Sequence, residues 1–349
     1  MKAMSGTAGK TSARAGRSAA AAGLSIVIPV YNEARNLPAL HQRVEVMARK
    51  LKIARRLPVE AIYVDDGSTD ATYRVAIELP AGALDVQVVA LSRNFGKEAA
   101  LLAGLDHARF GAVLFMDGDG QHPPELVETL VARWLDDKFD VIYTAKAHRH
   151  QERLVHRFGT SWFYALINWG SKHKIPEDAG DFRLLSPRAV AALRQFPERN
   201  RFLKGLASWI GFRQVRVDYE PDMRTHGRSS WSLWTLILLS IEGLTSFSVA
   251  PLRIASLLGI ALAAGALCFG FWMLLETFIY GKDVPGYPSL VVGMMVIGGA
   301  QLIMIGVLGE YIGKMLSEAK GRPAYFVAEH QVKFAEGAKA KVAASRAAE

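Results

Sequence analysis

The chain has 349 residues, with 42 Lys and Arg against 33 Asp and Glu, a net charge of +9, and half of its residues hydrophobic. Its one cysteine, Cys268, excludes an intrachain disulfide framework and every multi-cysteine zinc site. The composition is too apolar for a disordered chain and has no collagen or coiled-coil bias. The length fits one large domain with something added, and the apolar surplus collects after about residue 230.

Residues 1–23 carry Lys2, Lys10, Arg14 and Arg17 and no acid, among many Ala, Gly and Ser. They read as a disordered basic tail that can touch anionic lipid. A signal peptide is disfavoured because the apolar stretch after them runs straight into Pro29-Val30-Tyr31-Asn32-Glu33, a strand end carrying polar chemistry. From 24 to 220, short apolar runs alternate with amphipathic segments. Leu24–Val30, Ala61–Asp65, Val86–Ser92, Ala112–Met116 and Val141–Thr144 read as strands, and Asn36–Leu51, Lys97–Ala108 and Pro124–Asp136 as helices. Alternation of this kind implies an α/β domain with a mostly parallel sheet covered on both faces, and ligands bind beyond the carboxyl ends of such strands. Polar clusters follow three of the strands directly: Asn32-Glu33, Asp65-Asp66-Gly67-Ser68 and Asp117-Gly118-Asp119.

The C-terminal third is of a different kind. Residues 252–313 read as two transmembrane helices, about 253–277 and 287–310, built around the charge-free apolar stretches Ile254–Leu275 and Tyr287–Gly309, each long enough to cross a hydrocarbon core of roughly 30 Å as a helix. The short linker between them makes a transmembrane hairpin. Arg253 before it and Lys314, Lys320 and Arg322 after it place both ends, and the large N-terminal domain, on the cytoplasmic side. Residues 221–251 are apolar but carry Glu242 and end at Pro251, so they read as juxtamembrane helices lying in the interface with Trp231 and Trp234 at headgroup depth. Residues 314–349 are expected to form a cytoplasmic tail. Hairpins this apolar often associate, which leaves room for a homo-oligomer without fixing one; nothing in the chain asks for a nucleic-acid partner.

No G-x-G-x-x-G follows the first strand and no P-loop is present. Asp117-Gly118-Asp119-Gly120-Gln121 fails as a calcium loop, because His122 stands where the turn glycine belongs and Pro123-Pro124 breaks the loop. Two carboxylates one residue apart at the mouth of a buried strand suit Mg²⁺ or Mn²⁺ bridging substrate phosphates, with Gln121 adding a neutral oxygen. Asp-Gly-Asp is also an ordinary turn.

The order of the motifs carries more than any one of them. Pro29-Val30-Tyr31-Asn32-Glu33, Asp65-Asp66-Gly67-Ser68-Thr69-Asp70 and Asp117-Gly118-Asp119-Gly120-Gln121-His122-Pro123-Pro124-Glu125 resemble the successive motifs of family 2 glycosyltransferases with the GT-A fold. More narrowly, the chain is similar to the polyprenyl-phosphate hexosyltransferases, the bactoprenol glucosyltransferase and dolichol-phosphate mannose synthase group. Glu198-Arg199-Asn200-Arg201-Phe202-Leu203-Lys204-Gly205 and the paired spans look most like the bactoprenol branch.

The resemblance implies a fold, a reaction and a role for each matching residue. The fold would be a GT-A, Rossmann-like, mostly parallel sheet followed by interfacial helices and the hairpin. The reaction would transfer a hexose, with glucose from UDP favoured, to undecaprenyl or another polyprenyl phosphate at the cytoplasmic membrane face. Pro29, Tyr31, Glu33 and Asp65 would hold the base and ribose of the nucleotide-sugar. Asp117, Asp119 and Gln121 would hold the metal, and Arg93 and Lys97 would approach the diphosphate. Asp181, ahead of Asp178, would orient sugar or acceptor, because a lipid phosphate with a second pKa near 6 is already largely ionised and needs no base. Arg149, Arg153, Arg157 and Ser161 resemble an acceptor loop. Arg224 and Ser229 match an R-x-x-G-x-S-K-[WY] pattern whose lysine position is Ser230 here, with Arg228 a replacement close by. Asp66 and Asp70 fit a loop-turn pair equally well. The rival readings are a processive polysaccharide synthase and a non-enzymatic nucleotide-sugar-sensing scaffold. The first lacks its Q-x-x-R-W, since Leu130 precedes Arg133-Trp134 where Gln is required, and the second is disfavoured because no metal carboxylate is lost.

Overall fold

The computed structural model describes residues 21–146, 180–196, 198, 203–220, 222, 250–280 and 286–335. Strands β1 (Ala21–Val30), β2 (Val59–Asp65), β3 (Asp85–Leu91) and β4 (Phe110–Phe115) lie parallel, with β1 between β2 and β4. Helices α1 (Leu37–Arg55), α2 (Thr72–Glu78) and α3 (Lys97–His107) connect them. A 3₁₀ turn at Pro124–Leu126 leads into α4 (Val127–Leu135), then β5 (Val141–Lys146). β6 (Arg183–Leu185), α5 (Pro187–Leu193), α6 (Leu203–Trp209) and β7 (Gln214–Tyr219) complete that half of the sheet.

Side chains along a strand alternate between faces, and β1 shows the consequence. Ile26 and Ile28 enter the core under α1, α2 and α4, while Val27 enters the opposite core under α3, α5 and α6. α1 buries Leu37, Leu40, His41, Val44, Met47, Ala48 and Leu51, three- and four-residue steps that place one apolar stripe on the sheet. Strands covered on both faces read as continuous Val, Ile and Leu runs, which is why β1 to β5 fall close to their expected positions.

The sheet order is β7-β5-β6-β4-β1-β2-β3-β8, the last strand, β8, being Val327–Lys333. From β1 the chain winds outward through β2 and β3, then crosses back by α3 to lay β4 on the other side of β1. The strand order therefore reverses between β1 and β4, the crevice where open α/β sheets bind ligands. β6 runs antiparallel to β4 and β5, and brings the residues before it to the same rim.

Helices α7 (Ala250–Tyr280) and α8 (Tyr287–Ala319) pack against one another and form the apolar pair. At 1.5 Å per residue each is about 45–50 Å long, enough to cross a bilayer by length and composition. Their large side chains face outward, Phe278 at 93% and Leu267 at 76% exposure, unlike the core helices of a water-soluble domain. α8 runs through Lys314 to Ala319, past the expected end of the second span. The expected interfacial helices at 221–251 lie outside the described residues apart from Asp222, Ala250 and Pro251.

Where the sequence reads as a tail, β8 (Val327–Lys333) instead joins the sheet, antiparallel to β3 from Val327↔Leu91 to Val86↔Lys333. Its VAEHQVK sequence lacks an apolar period because it is an exposed, charged edge. Side chains fasten it: Glu329 accepts from Tyr73, His330 meets Gln87 at 2.9 Å, and the Ala335 N–H donates to Asp85 at 2.7 Å. Lys333 donates to the carbonyls of Ile77 and Leu79, the unsatisfied end of α2 where a cation is favoured. Ending the chain after Arg322 should uncover the β3 edge. The expected outcome in detergent is a lower melting temperature, faster amide exchange over 86–91 and a larger aggregated fraction by size exclusion; an unchanged exchange profile would contradict the clasp.

Candidate active site

Three loops at the carboxyl ends of β1, β2 and β3 lock into one another. The side-chain oxygen of Asn32, a residue with left-handed φ of 57°, accepts from the Thr69 N–H at 2.9 Å, and the Asn32 N–H donates to the Ser68 hydroxyl at 3.0 Å. The Asp66 carboxylate accepts from the N–H groups of Phe95 and Gly96 at 2.8 and 2.9 Å. Gly67 has a φ of 68°, and a Cβ there would fall 2.4 Å from the Arg93 carbonyl carbon, so only glycine fits. The Asp70 carboxylate accepts from Thr72 at the start of α2, a turn role. Asp66 and Asp70 therefore act as loop braces.

The fourth loop follows β4. The Met116 N–H donates to the Val27 carbonyl at 3.0 Å, and there the chain leaves the sheet. A Cβ on Gly118 would lie 2.8 Å from Val30 Cγ1 and 3.0 Å from the Pro29 carbonyl. The loop is pressed onto the end of β1, which fixes Asp117 and Asp119 on either side. The Asp117 N–H donates to His122 Nδ1 at 3.0 Å, and the Gln121 N–H donates to Asp119 Oδ1 at 3.0 Å. His122 is buried, with its ring stacked on Phe182 at 4.8 Å. Burial lowers its pKa, so it stays neutral and accepts at Nδ1.

A chain of charges crosses this rim. Lys97 Nζ lies 2.6 Å from Asp117 Oδ1 and 2.6 Å from Asp181 Oδ2, and Lys204 Nζ lies 2.8 Å from Asp181 Oδ1. Burial opposes the charge on Asp181, but Lys204 and Lys97 outweigh it and hold the carboxyl well below the usual range. Burial likewise opposes the Lys97 ammonium, and Asp181 with Asp117 raises its pKa above the ordinary lysine value. Each lysine is placed by its own helix. Lys97 begins α3, and Lys204 is the second residue of α6. The first N–H of α6, on Leu203, donates to Glu98 Oε2 at 3.1 Å. The buried Arg183 donates to the carbonyls of Gly180 at 2.8 Å and Lys204 at 3.4 Å.

The structure thus brings together Lys97, Asp117, Asp119, Gln121 and Asp181 of the residues expected in the site. Pro29, Tyr31, Glu33 and Asp65 line the adjoining β1–β2 end: Tyr31 is exposed, Glu33 accepts from the Asn36 amide at 2.5 Å, and Asp65 accepts from the Ser68 N–H at 3.2 Å. Burial raises the Asp65 pKa. Arg93 is not drawn to the carboxylates; its guanidinium sits 4.0 Å over the Phe95 ring and donates to the Asn94 carbonyl. Arg149, Arg153, Arg157, Ser161, Asp178, Arg224 and Ser229 lie outside the described residues. Sequence reading gave no role to Lys204, Glu98 or His122. Lys204 belongs to the Glu198–Gly205 segment already singled out, so a signal was there, but not its partner.

Among the described residues no cluster of three His, Cys, Asp or Glu side chains converges as a metal cage. Asp117 and Asp119 suffice for a hard cation that keeps waters and takes its remaining ligands from substrate phosphates. A full positive charge, the Lys97 ammonium, already rests on Asp117 Oδ1. The donor set fits Mg²⁺ or Mn²⁺.

Burial, reinforced by the Asp181 charge, pushes the Glu98 carboxyl up to about 7. An acid raised in the folded state contributes stability that is lost as pH climbs from its ordinary value of 4.5 to that point. Glu98→Gln keeps a carbonyl for the Leu203 N–H. It should raise the melting temperature near pH 8 and leave it close to wild type near pH 5, as thermal unfolding across that range would check.

A glycosyl transferase family 2 domain matches residues 25–193. The chain is 39% identical to a bactoprenol glucosyl transferase of Shigella phage SfV over 310 residues, 89% of this chain and 99% of that one. It is 40% identical to a prophage bactoprenol glucosyl transferase homolog of Escherichia coli over 87% of this chain and 98% of that one. A glycosyltransferase of Synechocystis is 42% identical over 88% and 95% of the two chains. Among solved structures, Staphylococcus aureus TarS residues 1–349 with UDP-GlcNAc aligns at a TM-score of 0.45 and 14% identity, over 90% of this chain and 97% of that one. The match to the family 2 domain, together with the nearly end-to-end match to the three relatives at 39–42% identity, establishes that the chain belongs to glycosyl transferase family 2.

Proposed function

We propose that this transferase moves glucose from UDP-glucose to undecaprenyl phosphate, inverting the anomeric centre in one displacement. The observation that carries the reading is the Lys97–Asp117 and Lys97–Asp181–Lys204 cluster at the β1–β4 switch point, in a chain whose bactoprenol glucosyl relatives match over nearly their whole length. An oxygen of the lipid phosphate bonds to the sugar's anomeric carbon. The bond from that carbon to the diphosphate breaks with its electron pair staying on UDP, and no proton has to move. An Asp181 held ionised between two lysines is a weak base, which suits this reaction. Its part is to orient the sugar or acceptor, and Asp178, three residues earlier, would assist.

Tyr31, Glu33 and Asp65, with Pro29, would seat the nucleoside. Asp117, Asp119 and Gln121 would hold Mg²⁺ or Mn²⁺, which when bound neutralises the diphosphate leaving group. Arg149, Arg153, Arg157, Ser161, Arg224 and Ser229 would bind the acceptor phosphate. Arg224 follows Asp222 by two residues, and the Asp222 N–H donates to the Gln121 carbonyl at 3.2 Å while its carboxylate pairs with Arg43 at 2.7 Å. Arg224 is assigned to the acceptor phosphate because an Arg can grip it bidentately.

The path of the chain supports a membrane topology. β8 follows α8 and pairs with β3 of the sheet that began the chain, so any bilayer crossings between them must be even in number. Two crossings by α7 and α8 satisfy this and three do not. The basic flanks Arg253 and Lys314 to Arg322 favour the cytoplasmic side for the sheet. Reporter fusions at residues 1 and 349 should both give cytoplasmic signals, and a periplasmic signal from either would contradict the hairpin.

The direct test incubates membranes with undecaprenyl phosphate and a panel of radiolabelled UDP- and GDP-sugars. Chloroform-extractable label from UDP-glucose is expected, and label from another sugar alone would overturn the donor. Asp119→Asn should abolish transfer with its melting temperature near wild type; full turnover of the folded variant with Mg²⁺ or Mn²⁺ would sink the metal assignment.

A further inference from the structure

We infer that Lys97 is an internal counter-ion that competes with the divalent metal for Asp117 and is released toward the diphosphate when the metal arrives. The inference rests on the metal assignment made above and adds to it a lysine with two positions. Lys97 Nζ contacts Asp117 Oδ1 and Asp181 Oδ2 at the same 2.6 Å. An ammonium within contact distance of a carboxylate oxygen and a metal bound to that oxygen repel one another strongly, because two like charges a few ångströms apart cost several kcal/mol even in a moderately polar site. Metal entry must therefore push Lys97 off Asp117.

The second carboxylate keeps the displaced lysine at hand. Asp181 is half-buried just before β6, and its other oxygen is held by Lys204 at 2.8 Å. Lys204 fixes the carboxylate without needing Lys97, so Lys97 can let go of Asp117 and still be anchored beside the site. The backbone supports this division. α3, which bears Lys97, follows Gly96, whose N–H is fixed by Asp66, and α6, which bears Lys204, is held by Glu98 and Arg183. Neither helix has to move for one long, flexible side chain to swing.

The arrangement makes charge near the leaving group conditional. Without metal, Lys97 neutralises carboxylates that would otherwise crowd the rim unpaired. With metal on Asp117 and Asp119, the same ammonium becomes available to the diphosphate and adds a second positive charge where the leaving group collects negative charge. Lys204 does not contact Asp117 and takes no part in the exchange; it is a positioning residue for Asp181.

The test measures Mn²⁺ binding to the metal-stripped full-length protein in detergent, without donor, by the loss of the free Mn²⁺ signal in electron paramagnetic resonance. Lys97→Met should bind Mn²⁺ at least about tenfold more tightly than wild type, while UDP-glucose-dependent labelling of lipid collapses. Lys97→Arg, which keeps the charge, should bind near wild type. Lys204→Met removes the same charge without uncovering Asp117 and should shift affinity much less. Damage to the fold would weaken binding, so tightening is a readout that a structural role cannot produce; thermal unfolding of each variant accompanies the titration. Mn²⁺ affinity that is unchanged, weaker or absent in Lys97→Met overturns the exchange, and equal tightening in both Met variants reduces it to net charge. A wild type that binds Mn²⁺ but labels no lipid would refute the transferase reading and leave the exchange standing.

Discussion

Three carboxylates on one sheet rim repel each other, and the site holds because lysines are threaded between them. Asp117, Asp119 and Asp181 come from loops after β4 and before β6, and nothing in the backbone alone would keep their charges together. Lys97 joins Asp117 to Asp181, and Lys204 takes the other oxygen of Asp181. The cations arrive from α3 and α6, elements on the face opposite α1. The rim therefore depends on the correct stacking of an entire layer of helices, as much as on the loops that carry the acids.

The loops themselves are rigid for a reason that side-chain chemistry makes plain. Asn32 ties the first to the second, and Asp66 with Gly67 ties the second to the third. Gly118 lays the fourth on the end of β1. Short polar side chains bonding to backbone groups do this work because the loops leave the sheet with unsatisfied N–H groups that must be paired. A site assembled this way presents its charged groups with little freedom, which is what stabilising charge on a departing diphosphate requires.

Much of this was legible in the sequence, for identifiable reasons. β1 to β5 are buried on both faces and read as apolar runs, and α7 and α8 declare themselves by the long charge-free runs Ile254–Leu275 and Tyr287–Gly309 within them. The motif residue Asp65 ends β2, and Asp117 and Asp119 follow β4 closely, so their common rim follows from the topology. What was hidden has no local period. β6 is only three residues long, Arg183–Leu185. β8 is charged along its length, and only its pairing with β3 makes it a strand. Lys204 and Arg93 show the same limit from two sides: both are basic residues in suggestive segments, yet the tertiary structure draws one to Asp181 and stacks the other on Phe95. A basic residue's partner is decided by which helix carries it, and single-sequence patterns do not record that.

The return of β8 also sets an order of events in the life of the chain. Ribosomes make the sheet from β1 onward, so β3 emerges early and waits with its outer edge open while the apolar pair is translated. Its partner strand appears only after that pair. In a chain whose hairpin enters a bilayer, closure of the sheet then reports that insertion has succeeded: a hairpin threaded the wrong way leaves β8 across the lipid from β3, with an unpaired strand exposed to other chains. On that topology β8 would couple closure of the sheet to correct integration, and a misinserted copy would be marked by an open β3 edge that folding factors and proteases can recognise.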